Sequence, residues 1–187
     1  SLLSADVIGD AEVKKNEENW TISYLSGSVL QWYAVLQKLA DHQKADKEQE
    51  YLRCEDAYRK YVYDKDLQIT DTAAATLGRL LPPAEGRLKL SEIKERIYQC
   101  LEENLAYDES AVTLNGNNDF LAYTLEQKKK GYSVHYATAA VLMLRYYGVP
   151  ARYVEGYYLR PEEANAAAPG EELVLDETHA HAWAEYY

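Results

Sequence analysis

One serine stands where a fold could activate it as a nucleophile. Ser133 is the polar start of residues 134–147, in which only His135, Thr138 and Arg145 are clearly polar, so a helix buried nearly all round is predicted there. A helix N-terminus stabilises an anionic nucleophile, because unpaired N–H groups and the positive end of the helix dipole meet there. The position also suits a structural role, in which the Ser133 hydroxyl caps the helix by accepting a backbone N–H. The residue type leaves both roles open.

An imidazole near the end of the sequence is the second group that could do chemistry. Strand alternation predicts that His181 shares one face with Trp183 and Glu185. An imidazole on such a face can move a proton to or from a nucleophile. His179 adds a His-x-His pair, which also fits a metal site with Asp176 or Glu185 as the third ligand. We expect His179 to be exposed, which favours the first interpretation.

The elements that position these groups follow from local signals. Gly148 and Pro150 end the buried helix, and residues 152–159, rich in Tyr and Val, favour a strand. The Pro-, Ala- and Glu-rich residues 161–170 predict a mobile loop, after which residues 172–175 resume pairing before the last strand. The order is therefore helices, a long buried helix and antiparallel strands, which is an α+β arrangement.

The N-terminal part of the sequence predicts short elements and a domain boundary. Residues 20–24 suit a short strand or the entry to a helix, and apolar residues at helical spacing predict helices within residues 28–62. Pro82-Pro83 gives the clearest boundary. We therefore predict an N-terminal helical segment over residues 1–86 and a core over residues 87–187.

Several other polar side chains are expected to serve structure. Ser91 is predicted to cap the first helix of the core. His135 lies on a different face of the buried helix from the serine and is expected to pack there. Arg145 and Arg152 are expected to pair with carboxylates such as Glu155.

Short motifs, taken in their order and spacing, resemble the core of the transglutaminase-like family over roughly residues 88–187. They are Gly131-Tyr132-Ser133-Val134-His135-Tyr136-Ala137, Leu144-Arg145, Gly148-Val149-Pro150-Ala151-Arg152, Gly156-Tyr157 and His181-Ala182-Trp183-Ala184-Glu185. Each motif alone is weak, but the combination is specific. The resemblance implies a papain-like α+β fold, in which a buried nucleophile helix packs on antiparallel strands, preceded here by the helical segment.

The resemblance also assigns roles to residues. It implies that Ser133 occupies the position of the family's catalytic cysteine and that His181 is the catalytic histidine. Candidates for supporting the oxyanion or the catalytic histidine are Tyr132, His135 and Trp183. The family's third catalytic residue, an acid on the following strand, would lie beyond Tyr187. We therefore expect residues 87–187 to be a core that is cut short before that acid.

The activity that the resemblance implies is acyl transfer by a thiol. An acyl-enzyme forms from a glutamine amide or a peptide bond and passes to an amine or to water, with no cofactor and no metal. A serine hydroxyl is far less acidic than a thiol, so Ser133 is expected to leave this form inactive or nearly so. The alternative is a naturally inactive module that binds peptide or cell-wall polymer in the former cleft.

Composition restricts the partners and the location. The formal net charge is −11 and the basic cluster Lys128-Lys129-Lys130 is short, so no nucleic-acid partner is expected. No apolar run reaches a membrane span, residues 1–4 lack signal-peptide character, and Cys54 and Cys100 have no metal-type spacing. We expect a soluble domain that acts on a protein or peptide substrate. The helical segments ahead of the core, with motifs such as Tyr58-Arg59-Lys60-Tyr61-Val62-Tyr63, resemble those of bacterial membrane proteins that carry such a core. This resemblance implies a larger, membrane-anchored protein with this domain outside the cytoplasm.

Overall fold

A computed structural model describes residues 12–15, 20–23, 46–84, 86, 88–111, 119–168 and 170–187. The chain divides into two compact units, Ser1–Arg59 and Lys60–Tyr187. The boundary between the two units falls within helix α1 (Asp46–Lys65). Across the described residues, no helix combines the length and the apolarity needed to cross a membrane. The division into residues 1–86 and 87–187 stays a prediction.

A short hairpin lies in the first unit. Strands β1 (Glu12–Lys15) and β2 (Trp20–Ser23) pair in antiparallel register, with Val13 opposite Ile22. Of the two alternatives for residues 20–24, a short strand or the entry to a helix, the structure therefore has the strand. Of the helices predicted within residues 28–62, the part before residue 46 lies outside the described residues.

Two helices precede the site in the second unit. Helix α2 (Asp71–Leu80) is the Ala-rich segment that ends before the proline pair. Helix α3 (Leu90–Asn104) begins after Lys89, whose N–H donates to the Glu92 carboxylate at 2.7 Å. The prediction that Ser91 caps this helix is wrong, because Ser91 lies inside the helix and Glu92 takes the capping contact.

Helix α4 (Ser133–Tyr146) is the predicted buried helix. Its residues Ala139 and Met143 are 0% exposed. Gly148 follows the helix with φ of 77°, a left-handed conformation that costs glycine little and ends the helical ladder. The helix packs against α2 and α3, so it lies at the centre of the hydrophobic core.

The approach to α4 contains an unusual helical turn. Residues Ala122–Lys128 form a π-helix, closed by a hydrogen bond from the Lys129 N–H to the Thr124 carbonyl at 2.9 Å. Lys129 has φ of 53° and ends this helix. Strand β3 (Ala106–Tyr107) then pairs in parallel with β4 (Lys130–Gly131), which leads directly into α4.

An antiparallel hairpin packs against α4. It consists of β5 (Ala151–Tyr157) and β6 (Ala180–Tyr186). Ala151 and Ala182 on one face of the hairpin are only 2% and 4% exposed, and small side chains there let α4 approach closely. The predicted α+β arrangement, a buried helix on antiparallel strands, is confirmed.

The connection between β5 and β6 contains more regular structure than predicted. Residues 161–170 include helix α5 (Pro161–Ala166), because proline is well suited to the first helical position. A 3-10 helix (Glu177–His179) precedes β6. Within the described part of this connection, residues 172–175 form no strand, so the pairing predicted for them is wrong.

Candidate active site

The N-terminus of α4 is closed by Tyr132 and His135. Tyr132 has an extended backbone, with φ of −116° and ψ of −170°, and its carbonyl accepts the N–H groups of His135 at 2.9 Å and Tyr136 at 3.2 Å. The Tyr132 N–H donates to Nδ1 of His135 at 3.3 Å. Ser133 is the first helical residue, so its predicted alternative role as the N-cap is wrong: the cap lies one residue earlier.

The strand that leads into Ser133 is held by Asp108. The Asp108 N–H donates to the Gly131 carbonyl at 2.8 Å, and its carboxylate lies 3.1 Å from Nζ of Lys130. Hydrogen bonds from Ser110 and Lys130 lower the pKa of Asp108 to about 2. The residues just before the helix are therefore fixed by both backbone and side-chain contacts.

His135 is packed as predicted and is 4% exposed. Its ring stacks on Phe120 with centroids 6.0 Å apart and meets the Tyr132 ring edge-on at 4.7 Å. Burial lowers the pKa of His135 below its usual value of 6.5. A Cβ on Gly131 would come 2.6 Å from the His135 Cβ, so this packing requires glycine at position 131.

His181 lies near the start of β6, opposite Gly156 on β5. Its side chain is exposed and its ring centroid lies 5.5 Å from that of Tyr158. Trp183 shares this face by strand alternation. The intervening Ala182 points to the opposite, buried face.

The structure brings the elements that carry Ser133 and His181 together, since α4 packs against β6. In the part of the chain that the structure describes, however, no hydrogen bond joins Ser133 to His181. Packing of the two elements is therefore shown, whereas direct contact between the two side chains is not.

Glu185 binds its neighbours on the same strand face. Its carboxylate accepts Nε and Nη2 of Arg152 at 2.9 and 2.6 Å and the indole Nε1 of Trp183 at 3.2 Å. Burial raises the pKa of Glu185, but these hydrogen bonds help to lower it below its usual value. Glu155, the predicted partner of Arg152, instead accepts the Tyr153 hydroxyl. Burial and this bond raise the pKa of Tyr153 to about 12.

Arg145 joins the end of α4 to two other segments. Its Nε donates to the Ala151 carbonyl at 2.8 Å, and its Nη1 donates to the Gln68 carbonyl at 3.0 Å. Nη2 lies 3.7 Å from the Asp66 carboxylate. The predicted pairing of Arg145 with a carboxylate is confirmed, with Asp66 as the partner.

His179 does not share the strand face of His181. It ends the 3-10 helix, where its Nδ1 lies 3.0 Å from Asp176 and its Nε2 lies 3.5 Å from Glu163. Its side chain is 11% exposed, so the expected exposure is also wrong. Among the residues described, no group of three His, Cys, Asp or Glu side chains could hold a metal. The metal site that was considered for His179 and His181 needs both imidazoles on one strand face, and the structure does not place them there.

Comparison with known proteins decides the family. Residues 83–187 match the model of the transglutaminase-like superfamily. The chain belongs to this family. It is 40% identical over 77 residues to a protein-glutamine gamma-glutamyltransferase of Pseudomonas aeruginosa, covering 41% of this chain and 10% of that protein. It is 32% identical over 82 residues to the uncharacterized protein YebA of Bacillus subtilis, covering 43% and 11%.

A solved structure is also similar to this transglutaminase-like chain. It is the periplasmic domain of TgpA from Pseudomonas aeruginosa, with 26% identity and a TM-score of 0.47, covering 68% of this chain and 43% of that one. The matches span about a tenth of the length of the curated relatives.

Sequence reasoning missed one residue beside the transglutaminase-like site. Asp108 holds the strand before Ser133 and accepts the N–H and hydroxyl of Ser110 at 2.9 and 2.6 Å. An Asp followed two residues later by Ser is a local turn signal that would have found this turn. The contact with Lys130 is non-local, and no sequence signal would have found it.

Proposed function

We propose that this domain is built for acyl transfer, with Ser133 at the position of the nucleophile and His181 as the group that moves the proton. One observation carries the proposal: Ser133 is the first residue of a buried helix that packs against the strand of His181. The first N–H groups of a helix have no partner within it. They therefore favour negative charge at the nucleophile and at the attacked oxygen.

The chemistry proceeds through an acyl-enzyme. The nucleophile attacks the carbonyl of a glutamine amide or a peptide bond. The imidazole of His181 takes the proton of the nucleophile and gives it to the leaving ammonia or amine. The backbone N–H of Ser133 stabilises the oxyanion, with the Tyr132 side chain as a second candidate donor. An amine or water then takes the acyl group. Catalytic hydrogen bonds are often long before substrate binds, which is compatible with the missing contact between Ser133 and His181.

Serine at position 133 limits this activity. A cysteine of pKa about 8.5 can reach about 3.5 to 7.5 at a helix N-terminus beside an imidazolium. A hydroxyl does not ionise in this range, so the form with Ser133 is inactive or nearly so. A cysteine at this position supplies the thiolate.

The proposed acyl donor is a glutamine side chain in a protein or peptide. The similarity to a protein named as a protein-glutamine gamma-glutamyltransferase supports this choice. An amine acceptor gives transamidation and water gives deamidation or hydrolysis. The setting in a membrane-anchored protein outside the cytoplasm remains a proposal, as does the acid that orients His181.

A second candidate is a binding module without turnover. Exposed apolar side chains favour it: Val174 is 85% exposed, and Tyr157 and Tyr158 at the end of β5 are 61% and 49% exposed. Exposed apolar surface often marks an interaction site. In this reading Ser133 is native and a peptide binds without being cleaved or modified.

Transfer of a fluorescent primary amine to a glutamine-containing peptide separates the two functions. We expect Ser133→Cys, in a chain extended past Tyr187 to include the acid that orients His181, to form the labelled peptide, and His181→Ala in that background to slow labelling about 100-fold or more. The unaltered protein is the matched control and should give no label. Equal labelling by all three proteins, or peptide binding without labelling by Ser133→Cys, would contradict the acyl-transfer proposal.

A further inference from the structure

Hydrogen bonds hold both of the peptide units that flank Tyr132. The Tyr132 N–H donates to the His135 ring at 3.3 Å, while the Tyr132 carbonyl accepts the backbone N–H groups of His135 and Tyr136 at 2.9 and 3.2 Å. The carbonyl of Tyr132 and the N–H of Ser133 belong to one planar peptide unit. Fixing that carbonyl therefore fixes the direction of the Ser133 N–H, while the His135 ring holds the adjoining unit between Gly131 and Tyr132.

The ring of His135 can accept this bond in only one state. Nδ1 must carry a lone pair, so the neutral ring must hold its proton on Nε2. Glu or Gln usually supplies such an acceptor at the third helical position. His135 supplies it with a rigid ring that is 4% exposed and that stacks on Phe120.

The surroundings of His135 favour the neutral state. Its ring contacts the rings of Phe120 and Tyr132, and neither of them carries a charge at neutral pH. Burial lowers the pKa of His135 below 6.5. Protonation in acid turns Nδ1 into a donor, which leaves two donors facing each other at the start of α4.

We propose that His135 is a positioning residue: its neutral ring accepts the Tyr132 N–H and holds the peptide unit before Tyr132, so that the adjoining unit, whose carbonyl accepts the His135 N–H, aims the Ser133 N–H at the oxyanion of the substrate. This rests on the proposed function only for the identity of the oxyanion donor. The hydrogen bond and the tautomer stand independently of it. The role is distinct from packing, because it depends on one lone pair and disappears when the ring gains a proton.

The direct test uses the unaltered protein and two variants. Nitrogen NMR should find the His135 proton on Nε2 at pH 7. Hydrogen exchange should find the Tyr132 amide protected at pH 7 and about fivefold less protected below the His135 pKa, the factor that corresponds to one ordinary hydrogen bond. His135→Gln keeps an acceptor without a titrating ring and should stay protected in acid, whereas His135→Leu should lose protection at both pH values. A proton on Nδ1, or equal protection in Gln and Leu variants, would overturn the proposal.

A second measurement tests the link to catalysis in the Ser133→Cys background. Acylation by p-nitrophenyl acetate builds an oxyanion, whereas alkylation by iodoacetamide does not. His135→Leu should slow acylation about tenfold or more and leave alkylation within about twofold, and His135→Gln should restore acylation. Equal loss in both reactions, or no loss in either, would contradict positioning of the oxyanion donor. A new thiol no more reactive than the exposed Cys54 would instead count against the proposed function and leave the hydrogen-exchange result unaffected.

Discussion

Trp183 on β6 packs over Gly156 on β5, where glycine is required by contact with the indole ring. A Cβ at position 156 would come 2.9 Å from Cη2 and 3.3 Å from Cζ3 of Trp183. The indole is fixed at its other side by the hydrogen bond from Nε1 to Glu185 at 3.2 Å. Because His181 lies opposite Gly156, this contact shapes the strand face that carries the proposed catalytic imidazole.

Gly156→Ala should therefore displace the indole and destabilise the protein by about 1 to 3 kcal/mol, the usual cost of overpacking. Tryptophan fluorescence should change together with the free energy of unfolding in urea. Gly78→Ala is the matched control, since its Cβ would meet only the Tyr146 hydroxyl at an ordinary 3.6 Å. Alanine in that helical position should stabilise by about 0.5 to 1 kcal/mol. Loss of stability at position 78 and none at position 156 would contradict this account.

His179→Ala should loosen the connection between β5 and β6. The imidazole lies 3.0 Å from Asp176 and 3.5 Å from Glu163, so it joins the start of the 3-10 helix to α5. Limited proteolysis should cut residues 170–175 faster in this variant. His181→Ala is the control, because its exposed ring makes neither contact, and it should leave the rate unchanged. First cleavage within α4 in either variant would contradict the buried position of that helix.

Asp108→Asn should weaken the strand that leads to Ser133. Hydrogen bonds from Ser110 and Lys130 lower the pKa of Asp108 from 3.8 to about 2. A lowered pKa contributes stability that is present above pH 3.8 and is lost as the pH falls towards 2. Denaturant unfolding between these pH values should show a smaller pH dependence in Asp108→Asn than in Glu102→Gln, an exposed carboxyl change on α3. Equal pH dependence in the two variants would show that Asp108 is not held by these bonds.

The sequence predicted the central helix nearly to the residue. Residues 134–147 were expected and Ser133–Tyr146 is found, because an apolar surface on all sides and Gly148 with φ of 77° are local signals. The capping residue was misplaced by one position. Serine is common at the N-cap, so its residue type favoured position 133 as the cap. The bond between the Tyr132 N–H and the His135 ring, which closes the helix, has no such residue preference.

Partners distant in sequence could not be predicted. Arg152 pairs with Glu185 because antiparallel register places them opposite each other, whereas Glu155 is nearer in sequence. His179 was expected on the strand, but the strand begins at Ala180 after a 3-10 turn. Register and element ends depend on non-local packing, which single-residue preferences do not encode.

Position 133 is proposed to be a nucleophile position that is activated by its helix and by His181. The pH dependence of iodoacetamide alkylation of Ser133→Cys tests it most directly, with the exposed Cys54 as the internal reference. We predict alkylation at position 133 that persists below pH 7 and that slows when His181→Ala is added, because the helix N-terminus and an imidazolium stabilise a thiolate. A thiol that titrates like an ordinary one near pH 8.5, unaffected by His181→Ala, would contradict the claim.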